Sequence, residues 1–146
     1  MEKAIKGMNS LGKYIIALFI VLFVVHASAM VNFWYWAFPW LDIPMHFLGG
    51  FWAAMIFVFL DSKFKLGILK KKFFLNLLLI VSFVALIGVL WEFFEFSYDY
   101  FSNSMEISEI AQQGLTDTIG DLFFDLFGGI VFSFLVRASL KRAEVV

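Results

Sequence analysis

FFLNLLLIVSFVALIGVLW, residues 73–91, is a stretch without a single charged side chain. A transmembrane helix needs about 20 predominantly apolar residues to cross about 30 Å of hydrocarbon. Three further stretches of the chain are similarly apolar. The four predicted spans are approximately residues 14–31, 43–60, 73–96 and 115–136. A backbone surrounded by lipid must satisfy its own hydrogen bonds, so each span is helical. The sequence therefore predicts an all-α fold, in which residues 1–146 form a single transmembrane domain, an integral membrane bundle of four transmembrane helices.

The composition supports a membrane environment and excludes several kinds of function. Hydrophobic residues make up 62% of the chain and charged residues 16%, whereas about 25% of a soluble domain is charged. The absence of cysteine rules out disulfides, thiol nucleophiles and thiolate metal sites. A formal net charge of −1 argues against a nucleic-acid partner, since phosphate binding requires an excess of basic residues.

The charged residues are segregated along the chain. All 11 lysines and arginines lie before the first span, in the loop 61–72, or after the fourth span. The positive-inside rule then places both termini and the loop 61–72 in the cytoplasm, in a multi-pass protein of the cytoplasmic membrane. Most of the 12 acidic residues lie in the opposite half, which contains no lysine or arginine.

The first span also fits a second interpretation. Its preceding lysines, the apolar run Tyr14–Val25 and the triplet Ala27-Ser28-Ala29 have the pattern of a cleavable signal peptide. Cleavage would leave three spans and remove His26. The apolar character continues through Trp34–Trp40, which favours a retained first helix.

The second span opens with DIPMHFLGG, residues 42–50, which includes a histidine predicted to lie inside the membrane. Asp42 and His46 are four residues apart and therefore share one helical face. Asp42 also fits a helix N-cap, with Pro44 in the first turn. His46 lies about one turn inside the membrane boundary, where polar side chains usually face a bundle interior or a watery cavity.

Acidic residues mark the third and fourth spans. Glu92 and Glu95 share a face near the end of the third span, where simple solvation at headgroup level is an alternative. Asp117, Asp121 and Asp125 are spaced four apart and form a stripe that descends about 12 Å. A charged acid at the centre of a span costs about 2.5 kcal/mol or more. Asp125 must therefore be protonated, bind a cation or face water.

The second and fourth spans resemble each other. DIPMHFLGG (42–50) and DLFFDLFGG (121–129) have the same spacing of polar residues and paired glycines. Small residues let helix backbones approach closely, so packing of these segments would bring His46 and Asp125 face to face. The glycines predicted to serve this packing are Gly49, Gly50, Gly128 and Gly129.

These motifs predict a polar site within the membrane. One histidine with several carboxylates suits a divalent cation such as Mg²⁺, Mn²⁺ or Zn²⁺. We expect His46 and Asp121 to act as ligands or as catalytic acid/base groups. The predicted metal ligands are His46, Glu92, Asp121 and Asp125, and the further pocket residues are Asp42, Glu95 and Asp117.

The chain resembles the VanZ-like membrane proteins over residues 41–136. The VanZ-like pattern Asp-x-x-x-His-Phe is matched by DIPMHF (42–47), and its following Glu by Glu92 or Glu95. Its closing Asp-x-x-x-Asn-x-x-Gly is matched by Asp121 and Gly128, with Asp125 in place of Asn and without the VanZ-like Gln after the Glu. VanZ-like proteins are linked with resistance to the glycopeptide teicoplanin, so this resemblance implies a role in the cell envelope.

The chain also resembles the YjdF-like inner-membrane family. The YjdF-like Trp/Tyr-Glu-x-x-Glu segment is matched by WEFFE (91–95), and its Asp-Thr-x-x-Asp run by DTIGD (117–121). Neither family has a settled biochemical activity, so the resemblance implies a membrane location and leaves the reaction open.

Three functions fit the sequence. In the first, an outward-facing pocket binds a divalent cation and acts on a lipid-linked or envelope substrate. In the second, the acidic stripe is a proton or cation relay, although polar residues largely stop at Asp125. In the third, the acids are caps and surface charge of a structural bundle. The loop Ser102–Gln113 is predicted to form a short helix, capped by Asn103 with Glu106, that partly covers the site.

Overall fold

The protein is a bundle of long helices. The structure, a computed structural model, describes the backbone of residues 2–68, 72–103 and 114–145 and the side chains of residues 10–68, 72–101 and 114–139. Within these ranges there is no strand. The helices are α1 (Glu2–Val31), α2 (Trp34–Ala37), α3 (Asp42–Phe64), α4 (Phe73–Asn103) and α5 (Leu115–Val145), with a 3₁₀ turn at Pro39–Leu41. The predicted helix in the loop Ser102–Gln113 lies outside the described residues, except that Ser102 and Asn103 end α4.

Four helical segments are long and apolar enough to cross a membrane. They are Ser10–Val31, Pro39–Phe64, Phe73–Phe101 and Leu115–Ser139. This finding confirms the predicted all-α class with four spanning helices. Helix α4 continues past residue 96, because no glycine or proline interrupts the chain before Asn103. The assignment of the termini to the cytoplasm stays a prediction.

The tightly packed core lies between α3, α4 and α5. Its buried apolar residues are Ala53, Ala54, Met55, Val58, Ile80, Val84 and Phe132. Helix α1 is peripheral: 6% of its apolar window is buried, against 33% for the α3 and α5 segments. It is attached to α3 through Trp52, whose indole Nε1 donates to the Ile15 carbonyl at 2.9 Å and whose ring stacks on Phe19. Most of the α1 surface is therefore not covered by other helices and is available to contact lipid.

Helices α3 and α5 cross in very close contact, and glycines make the crossing possible. A Cβ atom added at Gly50 would collide with the Asp125 backbone carbonyl, and one at Gly128 would collide with the Phe47 carbonyl. Gly129 faces Val84 of α4, where a Cβ would lie 2.8 Å from a side-chain methyl. The backbones thus meet where side chains at these positions would hold them apart. The crossing fixes the relative positions of the polar residues one turn away on each helix.

The start of α3 differs from one interpretation of the sequence. Asp42 is the first residue of the helix, Leu41 occupies the N-cap position, and none of the described side chains caps the helix end. The 3₁₀ turn Pro39–Leu41 leads directly into α3, so Asp42 already has helical backbone angles. The N-cap interpretation of Asp42 is therefore wrong, and its carboxylate is directed toward His46 instead.

Candidate intramembrane histidine–carboxylate site

His46 is a buried residue surrounded by carboxylates of two helices. It sits one turn into α3 and is 5% exposed. Its Nε2 atom lies 3.6 Å from Oδ1 of Asp42 on the same helix and 3.8 Å from Oδ1 of Asp121 on α5. Its other ring nitrogen, Nδ1, lies 3.5 Å from Oδ2 of Asp125. The α3–α5 crossing therefore brings three carboxylates of the two similar segments around the imidazole of His46.

The distances from Nε2 of His46 to the two carboxylate oxygens distinguish a hydrogen bond from a shared cation site. Good N–H···O hydrogen bonds have donor–acceptor distances of about 2.7–3.2 Å, so 3.6 and 3.8 Å are too long. Two ligands of one ion, with bonds of about 2.0–2.2 Å, lie about 3.0–3.6 Å apart. The three ligand atoms of Asp42, His46 and Asp121 all lie within 4.8 Å of one another. Their spacing is closer to that of ligands sharing a cation than to that of hydrogen-bonded partners.

Glu92 supplies a second, independent feature. The residue is 5% exposed, and neither of its carboxylate oxygens has a hydrogen-bond partner among the described residues. Oxygens of Glu92 and Glu95 and a ring nitrogen of His46 lie within 4.8 Å of one another. A buried carboxylate without a partner is costly. Glu92 thus lies near the same imidazole, and none of the side chains or backbone groups described in the structure donates a hydrogen bond to it.

Glu95 is held from the side by a tryptophan. Trp91, one turn earlier on α4, donates its indole Nε1–H to Oε1 of Glu95 at 2.8 Å. Glu95 is 6% exposed, so the alternative in which this glutamate is simply solvated at headgroup level does not describe it. The same holds for Glu92, because both carboxylates are enclosed by the bundle.

The remaining residues of the predicted site lie around this centre. Asp121 and Asp125 are each 5% exposed, whereas Asp117 is half-buried and belongs to neither group of potential ligand atoms. Gly88 of α4 faces Asp125, since an added Cβ would lie 2.6 Å from Oδ2. At Gly49 an added Cβ would be 3.6 Å from Oδ1 of the same carboxylate. The geometry brings the predicted residues together, and their individual roles stay predictions.

A partly open cavity of about 170 Å³ adjoins the site. Asp42, His46, Glu95 and Asp125 contribute to one part of its wall, and the rest is mainly apolar. Two residues that sequence reasoning did not assign to the site also line it. His26 of α1 and Tyr35 of α2 are joined by a contact of 2.8 Å between Nδ1 and the phenol oxygen.

The His26 ring also makes an edge contact with Trp91, with centroids 5.3 Å apart. A histidine inside an apolar run was a detectable signal, but its approach to α4 depends on how α1 packs. Through Trp91, which donates to Glu95, the His26–Tyr35 pair adjoins the polar part of the cavity wall.

The charge at the site is not balanced by protein cations. All 11 lysines and arginines lie in the N-terminal segment up to residue 13, at residues 63–72, or from residue 137 onward. Asp42, Glu92, Glu95, Asp121 and Asp125 instead lie toward the other ends of the spans, around a single imidazole. Several carboxylates in one low-dielectric space require protons or a bound cation.

Comparison with known proteins places the chain among membrane proteins. A family model described as "Predicted membrane protein (DUF2238)" matches residues 6–142. No curated protein and no solved structure matches. The description supports a membrane protein and does not name the VanZ-like or YjdF-like families, so those two resemblances remain predictions.

Proposed function

Starting from the membership of this chain in the DUF2238 family of predicted membrane proteins, we propose that its His46 site binds a divalent cation. The cation is used on a lipid or cell-envelope substrate. The observation that carries the proposal is the position of Nε2 of His46, 3.6 and 3.8 Å from carboxylate oxygens of two helices. The ligand atoms of all three residues lie within 4.8 Å of one another, so the two helices need to approach only slightly for the three groups to share one ion.

The other side of the imidazole supports the same assignment. Metal-ligating histidines almost always direct the second ring nitrogen to a carboxylate, a carbonyl or water, which fixes the ring and its tautomer. Asp125 lies on that side, with Oδ2 3.5 Å from Nδ1. We therefore assign Nε2 of His46, Asp42 and Asp121 as ligands and Asp125 as the residue that orients the imidazole. Oxygen-rich ligands with one imidazole suit Mg²⁺, Mn²⁺ or Zn²⁺.

Glu92 and Glu95 complete the proposed site. Both lie close enough to His46 to approach the ion. One oxygen of Glu95 accepts the Trp91 indole N–H, whereas neither oxygen of Glu92 has a hydrogen-bond partner in the described part of the chain. With His46 and Asp121 engaged as ligands, Glu92 is the residue able to accept a proton from a substrate or water. A cation there polarises a phosphoryl or carbonyl oxygen or makes a water more acidic.

A proton or cation relay is the weaker alternative. A relay needs polar groups along the whole span. Toward the lysine-bearing end of the bundle, the described residues beside Asp125 are the apolar core of α3, α4 and α5, including Ala54, Ile80 and Val84. The buried polar residues farther toward that end are Asp61, Asn76 and Ser133. The Ser133 hydroxyl donates to the Gly129 carbonyl of its own helix, and Asp61 accepts the Ile68 backbone N–H. This arrangement favours a pocket that ends at Asp125.

Calorimetric titration of the detergent-purified protein tests the proposal. Mg²⁺, Mn²⁺ and Zn²⁺ are titrated separately into protein stripped with a chelator. The wild-type chain should show one saturable site for at least one ion. His46→Ala and Asp121→Asn should each abolish or strongly weaken it, because each removes a ligand.

The matched control is Asp99→Asn, which removes a buried carboxylate of α4 that belongs to neither ligand group. This variant should bind like the wild type. Unchanged affinity in both His46→Ala and Asp121→Asn would refute the cation site. Protein-dependent proton flux into proteoliposomes, without a saturable metal site, would favour the relay.

A further inference from the structure

The cavity beside the His46 site lies within the membrane-spanning part of the bundle. Leu22 of α1 and Ile87 of α4 are among its lining residues, and both belong to segments that can span a bilayer. Trp52 of α3, stacked on Phe19 of α1, bounds it on one side. Most of its wall is thus at a depth where the surrounding solvent is hydrocarbon.

The wall of this cavity suits an apolar occupant. An apolar cavity offers water too few hydrogen-bond partners and remains dry. Ligand pockets are typically apolar with a few polar groups that fix orientation. Here those polar groups are gathered in one part of the wall, where His46, Glu95 and Asp125 lie. The cavity therefore has a hydrocarbon-like part and a polar part, like an amphiphile.

Helices α1 and α4 both line the cavity but have little direct contact with each other. In the described parts of these helices, α1 packs on α3 and α2 but makes no extensive contact with α4. The contact between the His26 and Trp91 rings bridges the two helices at one level, and the cavity is otherwise partly open. Lipid chains are the molecules that surround such a gap in a bilayer.

We infer that this cavity binds one hydrocarbon chain segment of a phosphate-bearing membrane lipid, which enters between α1 and α4 with its headgroup toward His46. The volume of about 170 Å³ is comparable to an engineered cavity of about 150 Å³ that holds one benzene. It therefore accommodates a short segment of one chain, and the remainder extends into the bilayer.

The placement of the headgroup rests on the proposed cation site. The polar wall offers carboxylates and no lysine or arginine, so a phosphate group is repelled unless a cation lies between. Mg²⁺ in proteins is commonly held by one or two carboxylates together with substrate phosphates. Binding of the lipid phosphate should therefore depend on the divalent ion, whereas the chain pocket is formed by the protein itself.

Photolabelling tests both parts. The protein is reconstituted in phosphatidylcholine vesicles with a phosphatidic acid that carries a diazirine in one acyl chain, with Mn²⁺ or with EDTA. A diacylglycerol with the same diazirine chain serves as the phosphate-free probe. Mass spectrometry should locate phosphatidic acid labels on Leu22 or Ile87 with Mn²⁺. Labelling there should decrease severalfold with EDTA or with the diacylglycerol probe.

Neighbouring substitutions provide matched controls on two helices. Ile87→Trp and Leu22→Trp fill the cavity and should suppress the label severalfold. Leu86→Trp and Val21→Trp, at positions 56% and 54% exposed to lipid, should leave it unchanged. Equal labelling in cavity and lipid-facing variants, or labelling insensitive to the headgroup and to EDTA, would overturn the inference. Calorimetry on the same samples separates the two proposals, because intact cation binding without cavity labelling would refute only the lipid site.

Discussion

Nδ1 of His46 and Oδ2 of Asp125 face each other at 3.5 Å across the α3–α5 crossing, and these residues occupy equivalent positions in the segments 42–50 and 121–129. The relationship follows from the glycines beside them, which allow the two backbones to touch. A residue that orients the imidazole should influence cation affinity without being a ligand. Substitutions that disturb this contact therefore test the orientation of the imidazole separately from the ligation of the cation.

A methyl group at Gly88 should displace the Asp125 carboxylate. The Cβ of Gly88→Ala would lie 2.6 Å from Oδ2, the oxygen that faces His46. The end of a side chain can rotate away, so the bundle should fold while the imidazole loses its orienting partner. We expect cation affinity, measured by calorimetry, to decrease by about 10–100-fold.

Gly49→Ala is the control for this substitution, because its Cβ would be 3.6 Å from Oδ1 of the same carboxylate, an ordinary contact. Its affinity should match the wild type. Equal affinities in Gly88→Ala and wild-type protein would show that Asp125 does not position His46.

A methyl group at Gly50 should instead destabilise the fold. Its Cβ would overlap the Asp125 backbone carbonyl, and a backbone can yield only if the helices separate. Overpacking of this kind costs about 1–3 kcal/mol, so the melting temperature in detergent should fall. Gly120→Ala is the matched control, since no atom of the described residues lies within 4 Å of its added Cβ and alanine is favoured over glycine in a helix interior by up to about 1 kcal/mol. A Gly50→Ala variant as stable as Gly120→Ala would contradict the close crossing.

The orientation predicted from the lysines can be measured directly, because the chain has no cysteine. Single cysteines are introduced as Leu66→Cys, in the lysine-bearing segment between α3 and α4, and as Ser104→Cys, which follows α4 in the sequence. A membrane-impermeant maleimide should label Ser104→Cys in intact cells and Leu66→Cys only after permeabilisation, as the positive-inside rule requires. The reverse pattern would place the acidic site on the cytoplasmic side.

The sequence was sufficient to predict the spans and the polar stripe. Lipid leaves an apolar run of about 20 residues almost no alternative to a helix. Helical spacing then places Asp121 and Asp125 on one face of α5. The matching segment around His46 indicated which helix that face would meet, because paired glycines in both segments permit close contact.

Features that depend on tertiary packing were not predictable in this way. Asp42 looked like an N-cap because Pro44 follows it, but the preceding 3₁₀ turn places it inside α3. Tyr35 reaches His26 because a turn at Phe33, with φ of 57°, directs the chain back toward α1. In lipid, apolar side chains gain little by choosing one neighbour over another. The position of α1 is therefore weakly encoded in its hydrophobic pattern.

Glu92→Gln provides the sharpest test of why an unpartnered carboxylate is retained in the bundle. Glu92 is 5% exposed, and no described group donates a hydrogen bond to either oxygen. Removal of its charge should raise the melting temperature of the metal-free protein, because an uncompensated buried charge is destabilising. The same substitution should reduce the additional stabilisation given by a saturating divalent cation, since ligand binding stabilises a fold according to its affinity.

Melting curves in EDTA and in Mn²⁺ measure both effects, with Asp99→Asn as a control for loss of a buried acid from the same helix. If Glu92→Gln lowers the melting temperature in EDTA and leaves the effect of Mn²⁺ unchanged, Glu92 has a structural role and takes no part in cation binding.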